Sequence, residues 1–127
     1  MKEVIKTSAA PAAVGPYSQG IKMTGISIIF CSGQLPLDPK TGEMVGTTAA
    51  EQAEQCLKNL SAVLEAGGAE LKDVAKVNVY LADMNDFAAV NDVYAGFFKT
   101  DMPARAAVQV ARLPKDALVE IEAAALV

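Results

Sequence analysis

Only two stretches of this chain repeat their apolar residues at helical spacing, and that limits what can be built around the strands between them. In the first, Ala53, Cys56, Leu57, Leu60, Val63 and Leu64 share one face. Thr48-Ala49-Ala50-Glu51 fits a capping box at its start, and Gly67-Gly68 stops it. The second starts near Asp83 or Asn85. Its stripe is Phe87, Val90, Tyr94 and Phe97, with Phe98 beside it, and it ends around Thr100, before Pro103. The other patterned segments read as strands: residues 4–6, 21–23, 26–31 and 74–81, and two more on either side of Pro114. Residues 26–31 are almost continuously apolar, which predicts a strand buried on both faces.

The order is therefore strands, helix, strand, helix, then two strands. That pattern predicts an α/β (α+β) fold in one domain, residues 1–127, with no internal boundary. Two amphipathic helices cover only one face of a single sheet. In residues 74–81, Ala75, Val77, Val79 and Leu81 fall on one side and Lys76, Asn78 and Tyr80 on the other. The uncovered face would carry the second set together with the Arg105 and Glu120 side. A partly apolar face of this kind usually meets another subunit, so a closed homo-oligomer is expected.

Composition removes several classes of function. The net charge of −4 argues against nucleic acid as the main partner. No apolar run reaches the ~18 residues of a membrane span, and the N-terminus lacks the apolar region of a secretory signal. Cys31 and Cys56 make no disulfide framework, which suits a reduced, cytoplasmic setting. The chain has no histidine, so it has no Ser-His-Asp triad, no Cys–His pair and no ordinary zinc site. A general acid or base would have to be Glu, Asp, Tyr, Lys or Cys.

The last two strands carry the most informative residues. Period 2 places Arg105, Ala107 and Gln109 on one face and Ala106, Val108 and Val110 on the other. In the second strand, Glu120 and Glu122 face away from Val119 and Ile121. A hairpin about Pro114-Lys115 would put Arg105 opposite residues 122–125, with Glu120 on the order of 7–17 Å along the ladder. An Arg inside an apolar strand is a good anchor for a carboxylate, because its planar fork makes two parallel charge-assisted hydrogen bonds. It is equally an ion-pair partner for Glu122 or for a neighbouring chain. Glu120 reads as a proton-transfer group or as a solvated edge residue. Tyr17 reads as a hydroxyl donor or as packing, and Gly33 as a backbone N–H donor or as part of a plain turn. Asn91 reads as an exposed residue or a structural hydrogen bonder.

Several motifs agree on one family. Pro103-Ala104-Arg105-Ala106-x-Val108 through Val119-Glu120-Ile121 resembles the signature of the RidA family, the reactive intermediate/imine deaminases also called YjgF. The likeness extends to Gly15-Pro16-Tyr17-Ser18-Gln19-Gly20, Ser32-Gly33-Gln34-Leu35-Pro36, Asn85-Asp86-Phe87-Ala88 with Val90-Asn91, and Ala111-Arg112-Leu113-Pro114. The resemblance implies a chorismate-mutase-like sheet with two helices on one face. It also implies a homotrimer whose sheets form a barrel, with sites in the clefts between subunits. The implied activity is hydrolysis of enamines and imines, such as 2-aminoacrylate and 2-aminocrotonate, to 2-oxo acids and ammonia, with no metal or organic cofactor. Arg105 would grip the substrate carboxylate, and Glu120 would position and activate water. Tyr17 and the backbone at Gly33 would line the pocket, with Asn91 a further member. Many members of the family carry Cys at the position of Ala107, which here can neither hydrogen-bond that water nor be oxidised. Two other readings stand beside the deaminase: a small-anion binding module that uses the same cleft without turnover, and an RNA-cleaving protein, which the charge and the missing histidine disfavour.

Overall fold

Each helix forms where its caps and its apolar stripe coincide. A computed structural model describes residues 1–127. Its elements in chain order are β1 (Lys2–Ile5), β2 (Gly20–Met23), β3 (Ile28–Gln34), α1 (Ala49–Ala66), β4 (Val74–Leu81), α2 (Phe87–Phe97), β5 (Ala104–Gln109) and β6 (Val119–Leu126). At the start of α1 the Glu51 N–H donates to Thr48 Oγ1 and the Thr48 N–H donates to the Glu51 carboxylate, each at 3.2 Å. Ala53, Cys56, Leu57, Leu60 and Leu64 are fully buried, while Val63 sits at the rim. Gly68 ends the helix at a φ of +83°, where a side chain would be strained. A turn of 3₁₀ helix, Met84–Asp86, leads into α2. Tyr94 and Val90 point into the core from α2, and Phe98, one residue past its end, is buried in place of Phe97.

The main sheet has the order β3-β6-β4-β5. β6 runs antiparallel to both β3 and β4, and β5 runs parallel to β4. β1 and β2 pair with each other as a separate antiparallel ribbon. Both helices lie against the face that carries Val77, Val79, Leu81, Val119, Ile121, Ala123 and Ala125, and these residues share one core with α1 and α2. No helix is long and apolar enough to cross a membrane.

Two expectations fail here. β5 and β6 are not a hairpin, because β4 lies between them. The β4–α2–β5 segment is a parallel crossover, and Pro114 and Asp116 belong to a 3₁₀ turn, not to a two-strand reversal. The apolar run 26–31 is also not buried on both sides. Cys31 and Ile29 face the helices, but Phe30 is 79% exposed, Ile28 59% and Ile26 100%. Phe30 and Ile28 form an exposed apolar pair on the β3 edge of the uncovered face, Val108 (46% exposed) lies at the opposite β5 edge, and Lys76, Asn78, Tyr80, Glu120 and Glu122 lie between them.

One buried polar residue escaped the sequence pattern. Gln52, 5% exposed, accepts from the Leu118 N–H at 2.8 Å and donates to Gly46 O at 3.2 Å, tying α1 to the entry of β6. Gln52→Ala leaves the Leu118 N–H without a partner. It should lower unfolding free energy by about 1–3 kcal/mol, read as a lower urea midpoint at unchanged m-value. An unshifted midpoint would show the bond to be dispensable.

Candidate functional site

Arg105 lies on the face opposite to the one its spacing suggested. Parallel pairing with β4 sets Arg105 level with Val77 and Ala107 level with Val79, so both point to the helix side. There the guanidinium meets α2. Its Nη1 donates to Asn91 Oδ1 at 2.6 Å. Its central carbon lies 4.8 Å from the ring centre of Tyr94, 5.5 Å from that of Phe87 and 5.8 Å from that of Tyr17. None of the chain's ion pairs includes Arg105. Burial pulls its pKa down, and the neighbouring Tyr94 and Tyr17 oppose that. The group stays charged, since an ordinary guanidinium titrates far above neutral pH.

Tyr17 reaches this guanidinium because the loop before β2 is tied down twice. Ser18 is buried, and its Oγ donates to Met102 O while its N–H donates to Pro103 O at 3.2 Å. That anchors Tyr17 to the entry of β5. The Gln19 side chain holds the loop's other end through Thr7 O (3.1 Å) and Pro11 O (2.6 Å) and accepts from the Thr7 N–H at 2.8 Å. The Tyr17 hydroxyl accepts from the Val14 N–H at 3.3 Å, so its own proton is free to be donated. A cleft of about 500 Å³, lined in part by Lys6, Thr7, Gly15 and Tyr17, opens beside this loop.

Glu120 and Gly33 form a second cluster on the uncovered face. β3 carries an irregularity between Cys31 and Gln34 where it pairs with β6, and Gly33 sits in it. The Glu120 carboxylate lies against this glycine. A methyl group at Gly33 would come within 2.8 Å of Glu120 Oε1, so a side chain there would push the carboxylate from its place. Glu120 is paired with Tyr80 across the ladder, whereas Arg105 is level with Val77 and Ala123. Two strand spacings and three residues separate them, roughly 14 Å between Cα atoms, and the side chains leave opposite faces. Within one chain the two groups do not share a pocket.

Glu122 is not the partner of Arg105. It accepts from Asn78 Nδ2 at 3.0 Å and from the Tyr80 hydroxyl, both on the uncovered face. The Tyr80 bond, then the Asn78 bond, holds the Glu122 carboxyl below the usual carboxylate range. The same bond raises the Tyr80 hydroxyl. Cys31 and Cys56 are free and buried, and burial pushes the Cys56 thiol up to about 12. No group of three or more His, Cys, Asp or Glu side chains is placed to hold a metal ion.

Of the residues singled out in the sequence, Arg105, Asn91 and Tyr17 come together, with Ala107 two residues along the same face. Glu120 and Gly33 come together elsewhere. Phe87 and Tyr94 belong with the first group, although their spacing marked them only as core. The available signal was the i, i+4, i+7 series Phe87, Asn91, Tyr94, in which one amide interrupts an apolar stripe.

The chain resembles known proteins along nearly all of its length. The family model described as Endoribonuclease L-PSP matches residues 7–127. A RutC family protein of Pyrococcus horikoshii is 57% identical over 125 residues, covering 98% of each chain. The 2-iminobutanoate/2-iminopropanoate deaminase of Mus musculus is 48% identical over 126 residues, 99% of this chain and 92% of that one. The crystal structure of the YjgF gene product of E. coli superimposes with a TM-score of 0.74 at 47% identity, covering 98% of each chain.

The Glu122 network makes stability depend on pH in a definite direction. Its folded pKa lies below the unfolded value of ~4.3, so its contribution is complete above that value and is lost as pH falls through the folded one. Tyr80→Phe should cost less than about 1 kcal/mol at pH 7, because the carboxylate is only partly buried. The difference in urea midpoint should narrow as pH drops below ~4. A difference that widens with acid would reverse the assignment.

Proposed function

The chain belongs to the Endoribonuclease L-PSP family, the RidA/YjgF proteins, and on that premise we propose that it is a hydrolase converting 2-imino acids and their enamine forms to 2-oxo acids and ammonia. The observation that carries this reading is Arg105, a half-buried guanidinium with no carboxylate partner in its own chain and one nitrogen oriented by Asn91. Such a group is suited to a small carboxylate, which it can hold through two parallel hydrogen bonds.

The chemistry beyond that grip is modest. An imine carbon is already electrophilic, so orientation and a proton shuttle suffice. Glu120 takes a proton from water as its oxygen bonds to the C=N carbon. Glu120 passes that proton to the nitrogen, then takes the proton of the new hydroxyl and delivers it to the nitrogen as well, so that the C–N bond breaks, ammonia leaves and the C–O bond becomes a carbonyl. Tyr17 donates a hydrogen bond beside the carboxylate, and the Gly33 backbone lines the water side. Ala107 leaves space next to the reacting carbon. No metal or organic cofactor enters this scheme.

Since Arg105 and Glu120 leave opposite faces of one sheet, the site is composite: Arg105, Tyr17 and Asn91 from one copy, Glu120 and Gly33 from the next. The exposed apolar residues Ile28 and Phe30 on one edge of that face and Val108 on the other support such assembly, and a homotrimer in a reduced, cytoplasmic setting completes the reading. The same separation favours one second reading, a small-anion binding module without turnover. The family description names an endoribonuclease, but a net charge of −4 and the absence of histidine supply neither a phosphate-binding surface nor an imidazole for RNA cleavage.

A coupled assay separates these readings. A pyridoxal-phosphate dehydratase generates 2-aminoacrylate or 2-aminocrotonate, and the decay of the imine is followed. The wild-type chain should accelerate decay, Arg105→Ala should abolish the acceleration, and Glu120→Gln should reduce kcat by about 10²–10⁴-fold. Equal decay with and without wild-type protein would leave only the binding module.

A further inference from the structure

The environment of Arg105 contains more than a carboxylate site requires. Tyr94 presents the nearest aromatic face to the guanidinium, at 4.8 Å, and is itself fully buried. Phe98 packs on the same ring, 4.6 Å between centres and tilted by 32°. The Tyr94 hydroxyl is buried and makes no hydrogen bond. The unpaired hydroxyl plays no part in the contact with the guanidinium, which the ring face makes by itself. Every group that contacts the guanidinium is neutral: the Asn91 amide on one edge, and Tyr94, Phe87 and Tyr17 around it.

We propose that Tyr94 is a positioning residue for anion recognition: its ring is a fixed platform that holds the Arg105 guanidinium in one orientation, unneutralised, with an edge free for a carboxylate. The proposal rests on the Arg105 reading above but does not need turnover. A carboxylate partner would orient the guanidinium equally well, but it would occupy the edge the ligand needs. Aromatic faces stabilise the cation in a partly desolvated site without consuming its donors. The rigidity comes from α2. Phe87, Asn91 and Tyr94 lie at i, i+4 and i+7, so one helix face supplies two rings and the amide, and Phe98 braces the platform from the next turn.

The test measures binding of 2-oxobutanoate, a stable 2-oxo acid, to the full chain by calorimetry, with thermal melts to establish folding. Tyr94→Leu should weaken binding about 2–30-fold, the range of one desolvated cation–π contact. Tyr94→Phe keeps the ring and should bind within about 2-fold of wild type. In an Arg105→Ala background, Tyr94→Leu should change nothing further, since a coupled pair is non-additive. In the coupled assay the loss should appear in KM with kcat nearly unchanged. If Tyr94→Leu does not fold, Phe87→Leu carries the same test at the second ring. Wild-type affinity in Tyr94→Leu, or equal losses with and without Arg105, or a Tyr94→Phe loss as large as that of leucine, would each overturn the platform. A chain that binds 2-oxobutanoate in this Tyr94-dependent way but does not accelerate imine decay would sink the deaminase reading and leave this one standing. A chain that deaminates with Tyr94→Leu at wild-type KM would do the reverse.

Discussion

A positive charge taken half out of water with no negative charge beside it is the constraint around which this site is built. Removing a guanidinium from solvent is unfavourable unless something replaces its hydration. Here the replacement is an amide oxygen at 2.6 Å and three aromatic rings within 6 Å, all neutral. The result is a cation stabilised enough to persist without a carboxylate partner in its own chain. The anchoring of Ser18 to Met102 and Pro103 serves that arrangement, because it brings Tyr17 against β5. So does the parallel crossover, which lays α2 alongside the strand that carries Arg105.

Sheet parity then decides how the chemistry is divided. Alternation along β5 and β6 sends Arg105 toward the helices and Glu120 toward the uncovered face. No side-chain rotation repairs that, so a reaction needing both groups must draw them from two copies. The uncovered face is fitted for contact: apolar at Ile28, Phe30 and Val108, with Glu122 already satisfied by Asn78 and Tyr80. A carboxylate with its hydrogen bonds made is easier to cover than a bare one.

The helices, the buried face of β4 and the uncovered face were legible because each rests on local periodicity. The capping box at Thr48 and the stripe through Leu57 and Leu60 needed no tertiary information. The errors came where partner choice mattered. Residues 103–122 look like a hairpin by themselves, and only the insertion of β4 between the two strands reverses the face on which Arg105 sits. The run 26–31 reads as doubly buried because its composition anticipates a contact that one chain does not supply. Phe87 and Tyr94 were recognised as apolar but not as neighbours of a cation, since helical spacing reveals a shared face and not what faces it. The identities of Arg105, Glu120, Tyr17 and Asn91 came through motif resemblance, and their grouping came only from the pairing of strands.

The division of the site between copies can be tested by complementation. Arg105→Ala and Glu120→Gln chains, each inactive alone, are mixed in equal amounts, unfolded together and allowed to reassemble, and imine decay is measured. Random pairing around a closed ring should restore about a quarter of the wild-type sites, because each site then needs one intact group from each neighbour. A mixture that remains as inactive as its separate components would contradict a site built by Arg105 of one chain and Glu120 of the next.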